Sequence, residues 1–285
     1  MTPTPVVRSW RLRGIDLLLD RPRVMGVVNV TPDSFSDGGR YRDAEAAIEH
    51  GLQLIDEGAD LIDVGGESTR PGADQVPAEE ELRRVLPVVS ELAAAGVLVS
   101  IDTSKASVAA AAIGAGAVVI NDVTALGDPE MGTVASESRT GLVLMHMQGD
   151  PRTMQVNPTY DDVVGQVSGF LIERTALAEA AGVERTSIAI DPGIGFGKTV
   201  DHNLTLLRDL GVFADLGYPL VVGTSRKSFL GKVTGQDTAG DRDVASAIST
   251  ALAIERGANV VRVHNVSACR EAVMLTLAIV RGSRG

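Results

Sequence analysis

Hydrophobic and polar positions along this chain form two kinds of pattern. Short runs rich in Val, Leu, Ile and Ala, bounded by Gly, Pro, Asp or Ser, predict buried strands. Between them lie longer segments whose apolar residues recur at helical spacing. The eight predicted strands lie near residues 24–29, 60–65, 97–102, 117–121, 141–146, 187–191, 219–224 and 259–264. The eight predicted helical segments lie near residues 43–58, 78–95, 104–115, 129–137, 161–182, 200–216, 241–257 and 267–281.

This alternation of strands and helices is typical of parallel βα units. Eight such units favour a closed (β/α)8 TIM barrel of the α/β class, and the 285 residues suit a fold that typically needs about 250. An open doubly wound sheet would carry a glycine fingerprint after its first strand, and residues 31–34 do not form one. We expect one barrel domain over 23–285, preceded by an extension over 1–22. In that extension Trp10 and residues 15–19 would form a hairpin that closes the barrel floor.

The composition narrows the possible partners. The net charge is −11, with 37 acidic against 26 basic residues, which argues against a nucleic-acid surface because that requires a basic patch. The single cysteine, Cys269, excludes an internal disulfide and a cysteine metal cluster. No run approaches the roughly 18 apolar residues of a membrane span, and no signal-peptide core precedes the first strand. We therefore expect a cytoplasmic protein that acts on small molecules.

Polar side chains follow every predicted strand. They are Asn29, the stretch Glu67 to Arg70, Asp102, Asn121 with Asp122, His146, Asp191, the stretch Ser225 to Lys227, and Arg262 with His264. In a barrel the carboxyl ends of the strands meet on one face, where active sites are built. One polar strand end is ordinary, but the convergence of all of them predicts a functional site at this rim.

The acidic and amide residues of the rim suit a flat nitrogen heterocycle. Asp102, Asn121 and Asp191 provide acceptors and one amide that also donates. A carboxylate can accept two parallel N–H bonds from an amino-pyrimidine edge. Two other interpretations stay open: a metal cluster, although spacing places no His partner, and, for Asp102 alone, the N-cap of the next helix.

The basic residues of the rim indicate an anion. Arg262 and His264 lie two residues apart on a strand, so both side chains leave the same face and would point into the barrel mouth. Arg226 and Lys227 lie at a strand-to-helix turn, where backbone N–H groups and the helix dipole favour anions. The alternative, a solvated basic turn, is less favoured because basic residues are a minority in this acidic chain.

The glycine-rich stretch over 193–199 matches a phosphate loop only in part. The Walker pattern requires Gly five positions before the Gly197-Lys198 pair, and Pro192 occupies that position. The stretch also lacks the spacing of the dinucleotide fingerprint. We interpret it as a tight turn that brings Phe196 close to the edge of a ligand.

Together these motifs resemble the dihydropteroate synthase family over residues 24–282. The resemblance is carried by residues 29–39, 65–72, 100–102, 120–122, 145–149, 191–198, 225–228 and 262–264. It implies a TIM-barrel enzyme of folate biosynthesis, the target of sulfonamides, in which p-aminobenzoate displaces pyrophosphate from 6-hydroxymethyl-7,8-dihydropterin diphosphate to give 7,8-dihydropteroate. The expected mechanism is dissociative: diphosphate leaves first, the amine attacks second, and no covalent enzyme intermediate forms.

The resemblance also implies a role for each matching residue. The pterin would be held by Asp102, Asn121, Met145, Asp191, Phe196, Lys227 and Arg262. The diphosphate would bind Asn29, Arg262 and His264, with Mg²⁺ on Asn29. The p-aminobenzoate would bind Thr69, Arg70, Pro71, Lys227 and Ser228. The catalytic set would be Asp37, Arg70, Lys227, Arg262 and His264, with Asp37 and Phe35 in a mobile first loop.

Assembly and two rival functions complete the expectations. Members of the family commonly form homodimers through helices late in the barrel, so we expect a homodimer. They usually have Asp after the Arg-x-His triplet, where this chain has Asn265. One rival is a methyltetrahydrofolate-binding methyltransferase barrel with a corrinoid partner, which would not need the 68–71, 225–227 and 262–264 motifs together. The other is a non-catalytic pterin-binding paralogue, and the intact catalytic set argues against it.

Overall fold

The computed structural model describes residues 7–30, 40–68 and 72–281, in which a hairpin precedes a barrel of parallel strands. The hairpin strands are β1 (Ser9–Leu12) and β2 (Ile15–Leu18). The barrel strands are β3 (Arg23–Asn29), β4 (Leu61–Gly65), β5 (Val99–Asp102), β6 (Val119–Asp122), β7 (Gly141–Met145), β8 (Ile188–Asp191), β9 (Val221–Val222) and β10 (Val260–Val263). They pair in the order β8-β7-β6-β5-β4-β3-β10-β9. A parallel bridge between Ile190 and Leu220 closes the ring and confirms the predicted barrel.

Helices follow the barrel strands and pack against their outer faces. They are α1 (Arg40–Asp56), α2 (Ala78–Ala94), α3 (Ala106–Gly114), α4 (Met131–Ser138), α5 (Val163–Ala180), α6 (Val200–Arg208), α7 (Gly211–Ala214), α8 (Ser228–Thr234), α9 (Asp243–Glu255) and α10 (Val266–Arg281). Within the described ranges, 3-10 turns cover Arg185–Ser187 and Gly240–Arg242. Among the described residues no helix is both long and apolar enough to cross a membrane.

Two of these helical details differ from the prediction. The segment predicted over 200–216 is two helices, α6 and α7, because the backbone leaves helical geometry at Asp209. The short helix α8 follows the predicted strand-to-helix turn but is not among the predicted helical segments, since seven residues are too few to show a helical period. Gly235 ends α8 with φ +73°, a left-handed conformation that glycine adopts without strain.

The N-terminal hairpin closes the barrel floor, as predicted. The Trp10 ring is fully buried, and its N–H donates to the Ser187 carbonyl at 2.8 Å. It packs with inward-facing residues of the barrel strands such as Met25 and Leu61. The hairpin packs so closely against β7 that a Cβ on Gly141 would lie 2.5 Å from a Leu12 methyl group.

Successive side chains of the barrel strands point alternately into two separate hydrophobic cores. Along β3, Val24 and Val28 belong to the outer core beneath the helices, whereas Met25 belongs to the inner core above the hairpin. Strands that are buried on both faces read as nearly continuous apolar runs. Polar residues are therefore costly inside these strands, and their positions locate the site.

Candidate active site

A buried ionic network lies at the carboxyl ends of β4, β5, β6 and β10. The Arg262 Nε donates to Asp63 Oδ2 at 2.6 Å, and its Nη2 donates to Asp102 Oδ2 at 2.7 Å. The Asn121 side-chain amide donates to the same Asp63 oxygen at 3.0 Å. The structure thus brings together three of the predicted pterin residues, and it joins them through Asp63, which the sequence prediction did not include.

Asp63 is fully buried at the centre of this network, and among the described residues its Oδ1 has no hydrogen-bond partner. Its neighbours on β4, Ile62 and Val64, belong to the outer core, so Asp63 faces the barrel interior. The sequence carries a signal that could have found it. A buried carboxylate is costly unless it is paired, so an aspartate inside an apolar strand indicates a partner across the barrel.

Burial changes the ionisation of the mouth residues. Burial raises the pKa of Asp102 to about 7, although Arg262 opposes this rise, and Asp63 raises the pKa further. Burial also raises the pKa of Asp191, which Lys227 opposes. For Arg262, burial favours a lower pKa, but the carboxylates of Asp63 and Asp102 outweigh it and raise the pKa. Arg262 is therefore permanently charged, while Asp102 can hold or release a proton near neutral pH.

Lys227 and Phe196 form a second part of the mouth. The Lys227 ammonium lies 4.5 Å from the centroid of the Phe196 ring, a cation–π distance, and donates to the Ile194 carbonyl. Burial lowers the pKa of Lys227 to about 8, although Asp191 opposes this fall. Asp191 also accepts a hydrogen bond of 2.7 Å from the Gly193 amide, which fixes the start of the glycine turn.

The glycine stretch forms the predicted tight turn and places Phe196 beside Lys227. Gly193 has φ +67°, and a Cβ there would lie 1.8 Å from the His146 carbonyl oxygen. A Cβ on Gly195 would lie 2.7 Å from the Lys227 side chain. The turn passes so closely between β7 and Lys227 that neither position has room for a side chain, and glycine is therefore required at both.

His146 is not a rim residue of the mouth, contrary to the sequence expectation. Met145, the buried residue before it, ends β7 in register with Asp191. The His146 ring instead packs edge-on against Phe170 of α5, and its Nδ1 lies 2.9 Å from the Lys198 ammonium. Burial and Lys198 lower the pKa of His146 to about 3, so the ring is neutral. The pair supports the glycine turn from outside, and the sequence reasoning missed Lys198.

Of the predicted anion-binding residues, Asn29 lies beside the network and His264 binds Ser225. The carboxamide oxygen of Asn29, at the end of β3, would lie 3.7 Å from a Cβ on Gly65, and the Asp102 Cβ would lie 3.5 Å from it. Asn29 and Asp102 therefore flank Gly65. The His264 Nδ1 lies 3.1 Å from Ser225 Oγ, which also accepts a hydrogen bond from the His264 amide.

Arg226 does not share the mouth with Lys227, and this corrects the expectation that both basic residues of this turn are available to an anion. Its guanidinium binds Asp243 of α9, with Nε to Oδ1 at 2.7 Å and Nη2 to Oδ2 at 2.9 Å. Lys227 alone of the two reaches the mouth, and Ser228 begins α8 directly after it.

The two other interpretations of the acidic residues receive no support. The helix after Asp102 begins at Ala106, whose amide donates to Asp128 at 2.9 Å, so Asp102 is not its N-cap. Within the ranges described, no group of three or more His, Cys, Asp and Glu side chains is arranged to hold a metal ion. The remaining predicted site residues, Phe35, Asp37, Thr69, Arg70 and Pro71, lie outside the described residues, and their roles stay predictions.

We predict that Asp102→Asn flattens the pH dependence of stability. The pKa of Asp102 rises from 3.8 in the unfolded chain to about 7 in the folded one, so between these values the folded chain binds more protons. The stability that Asp102 contributes is fully present below about pH 4 and is lost as the pH rises through about 7. Urea unfolding across this range should show wild-type stability falling relative to Asp102→Asn. Parallel curves for the two proteins would contradict the shifted pKa.

Comparison with known proteins identifies the family. A family model described as pterin binding enzyme matches residues 25–264. Dihydropteroate synthase of Neisseria meningitidis serogroup C is 48% identical over 268 residues, covering 93% of this chain and 95% of that protein. Matches of this kind support the synthase rather than the methyltransferase alternative.

Solved structures agree with the sequence relatives. A structure of Xanthomonas albilineans dihydropteroate synthase with 4-aminobenzoic acid superposes with a TM-score of 0.90 at 50% identity, covering 95% of this chain and 98% of that one. A structure of the same enzyme with 7,8-dihydropteroate gives a TM-score of 0.86 at 47% identity, covering 94% and 98%. The chain therefore belongs to the dihydropteroate synthase family, the pterin-binding transferases of folate biosynthesis.

Proposed function

We propose that the barrel mouth holds a pterin diphosphate so that p-aminobenzoate displaces its pyrophosphate. The observation that carries this proposal is the buried network of Asp63, Asp102, Asn121 and Arg262. Ionic and amide groups at this depth are costly in an empty barrel. They become useful when a polar heterocycle supplies the donors and acceptors that they lack.

Recognition of the pterin follows from the chemistry of these side chains. The Asp191 carboxylate and the Asn121 amide suit the amino-pyrimidine edge, since a carboxylate accepts two N–H bonds and an amide both donates and accepts. Asp102, with its pKa raised to about 7, can accept or donate a hydrogen bond to a ring nitrogen. The planar guanidinium of Arg262 can stack on the ring face. Met145 and Phe196 supply apolar walls.

The chemistry requires charge stabilisation at two places. When the C–O bond to diphosphate breaks, positive charge spreads over the methylene and the pterin ring, where the carboxylates of Asp102 and Asp191 favour it. Arg262 and His264 donate hydrogen bonds to the leaving oxygens. The amine of p-aminobenzoate then forms the C–N bond and loses a proton. Its carboxylate binds Lys227, whose pKa of about 8 keeps it mainly protonated at pH 7, and Ser228.

The donor set at Asn29 fits Mg²⁺. This ion prefers oxygen ligands and keeps several waters, so one carboxamide oxygen together with diphosphate oxygens suits it, and no acidic cluster is needed. The Asn29 oxygen borders Gly65, whose missing side chain leaves room for a ligand there. When bound, Mg²⁺ would neutralise charge on the diphosphate. The roles of Asp37 and Arg70 and a cytoplasmic location stay predictions.

An apolar face on α9 and α10 supports a homodimer. Val244, Ile248 and Leu252 recur every four residues on α9 and are 72%, 57% and 47% exposed. Leu275 and Ile279 of α10 are 64% and 72% exposed, and the two helices pack side by side. Several exposed apolar side chains on two neighbouring helices indicate an interaction site. We propose that two copies of the chain associate through this face.

The central test of the proposal is an assay of pyrophosphate release from the pterin diphosphate, p-aminobenzoate and Mg²⁺. Lys227→Ala and Asp191→Asn should each lower turnover about a hundredfold or more, because each removes a charged group that holds a substrate in place for the reaction. Far-UV circular dichroism should not change. Lys232→Ala, which changes an exposed lysine of α8, the helix that begins directly after Lys227, is the control and should keep wild-type turnover. Unchanged rates in either site variant would refute its assigned role.

The metal proposal predicts a selective effect of chelation. Excess EDTA should weaken binding of the pterin diphosphate but leave binding of the free hydroxymethyl pterin unchanged, because only the diphosphate shares the ion with Asn29. Isothermal titration calorimetry with each ligand measures both affinities. Equal weakening of the two ligands would argue against a metal confined to the diphosphate.

The dimer proposal predicts that Ile248→Glu yields monomers. A carboxylate at the centre of the apolar face would have to be buried without a partner. Analytical ultracentrifugation should show the wild type as a dimer and this variant as a monomer. Ile172→Glu places the same change at an exposed position of α5 and should leave the dimer intact. A monomeric wild type would overturn the proposal.

A further inference from the structure

Arg226 has an unusual backbone conformation. Its φ is +58°, in the left-handed region that residues with a side chain seldom occupy. It lies between Ser225, which binds His264, and Lys227, which reaches the barrel mouth. Such a conformation persists only when the surrounding structure holds it, and it is often found at functional sites.

The start of α9, together with Arg242 directly before it, holds Arg226 at three points. The Arg226 amide donates to Ser246 Oγ at 2.9 Å, and its carbonyl accepts from Arg242 Nη1 at 2.9 Å. Its guanidinium binds both oxygens of Asp243, at 2.7 and 2.9 Å. We refer to Arg242, Asp243 and Ser246 as the α9 clamp. Backbone and side chain of one residue are thus fixed together by one helix end.

Asp243 is itself fixed in orientation. The Asn265 side-chain amide donates to Asp243 Oδ2 at 2.9 Å, and Asn265 is itself held because its own Oδ1 accepts from the Ala268 amide at 3.1 Å. The hydrogen bonds from Arg226 hold the pKa of Asp243 below its usual range. The carboxylate therefore stays charged, and the ion pair persists, throughout the neutral range.

We propose that Asp243 is a positioning residue for the transferase reaction: it holds Arg226 in the left-handed turn that directs the next residue, Lys227, into the mouth. This inference rests on the proposed role of Lys227. If the turn relaxes toward negative φ, the direction of the chain at Lys227 changes and its ammonium leaves the Phe196 ring. Asp243 does not contact the substrates, and its effect passes through Lys227.

The first experiment is a double-mutant cycle. Asp243→Asn should lower kcat about tenfold or more, since a displacement of about 1 Å at a catalytic group can cost a hundredfold. The KM for the pterin diphosphate should change little, because Asp191 and Asn121 stay in place. In the Lys227→Ala background, Asp243→Asn should change kcat less than about twofold, because residues that act as a unit are not additive. Additive losses would overturn the proposal.

A matched ion pair provides the control. Arg208 and Asp209 form the same two-bond geometry, with Nε to Oδ1 at 3.0 Å and Nη2 to Oδ2 at 2.7 Å, at the end of α6. Asp209→Asn should leave kcat unchanged. Full activity of Lys227→Ala alone would overturn the proposed role of Lys227, and that outcome is distinct from additive losses.

Two further measurements address the turn itself. Hydrogen exchange at the Arg226 amide should accelerate at least about tenfold in Asp243→Asn and stay unchanged in Asp209→Asn. Arg226→Gly should keep more activity than Arg226→Ala, because glycine adopts the left-handed conformation without the ion pair. Unchanged exchange in Asp243→Asn, or equal losses in the two Arg226 variants, would overturn the proposal.

Discussion

The charges of the barrel mouth depend on one guanidinium, that of Arg262, which is held between two buried carboxylates. Asp63 is completely buried, and Asp102 nearly so, and each is bonded to Arg262. Loss of the arginine would leave two carboxylates uncompensated in the interior, which is far more costly than an apolar core of the same volume. Such a network is therefore better explained by ligand binding than by stability. Burial raises the pKa of Asp102 to about 7, the Asp63 carboxylate adds to this rise, and Arg262 opposes it, so N–H donors from a heterocycle can stabilise the charged form of Asp102.

Inward-facing residues of one barrel strand, which are two positions apart, contribute first to the stable core and then to the functional site. On β4, Leu61 packs in the inner core above the hairpin, Asp63 enters the ionic network, and Gly65 leaves room between Asn29 and Asp102. All three face the interior because side chains alternate along a strand. The floor is filled with apolar side chains that pack above Trp10, so the rim is free to carry charged groups. The stability of the floor holds the strand ends in place for binding.

Helix α9 serves two purposes on two of its faces. Val244 and Ile248 present the apolar face that we propose as the dimer contact, while Asp243 and Ser246 hold the Arg226 turn. The residues that fix Lys227 are thus next in sequence to residues that would be covered by a second subunit. Substitutions on one face can be compared with substitutions on the other, so assembly and active-site geometry are experimentally separable.

The sequence by itself determined the architecture and much of the site. Strands buried on both faces must be apolar wherever they lie, so eight apolar runs between helical segments were enough to predict the barrel. Motifs at the strand ends placed Asp102, Asn121, Asp191 and Arg262 at one rim and led to the family. Only the tertiary structure decided which way neighbouring side chains point. Arg262 meets Asp63 across 199 residues of sequence, and of the adjacent pair Arg226 and Lys227 one binds α9 while the other enters the mouth. Local pattern cannot distinguish such neighbours, because the direction of a side chain depends on elements that pack against it from far along the chain.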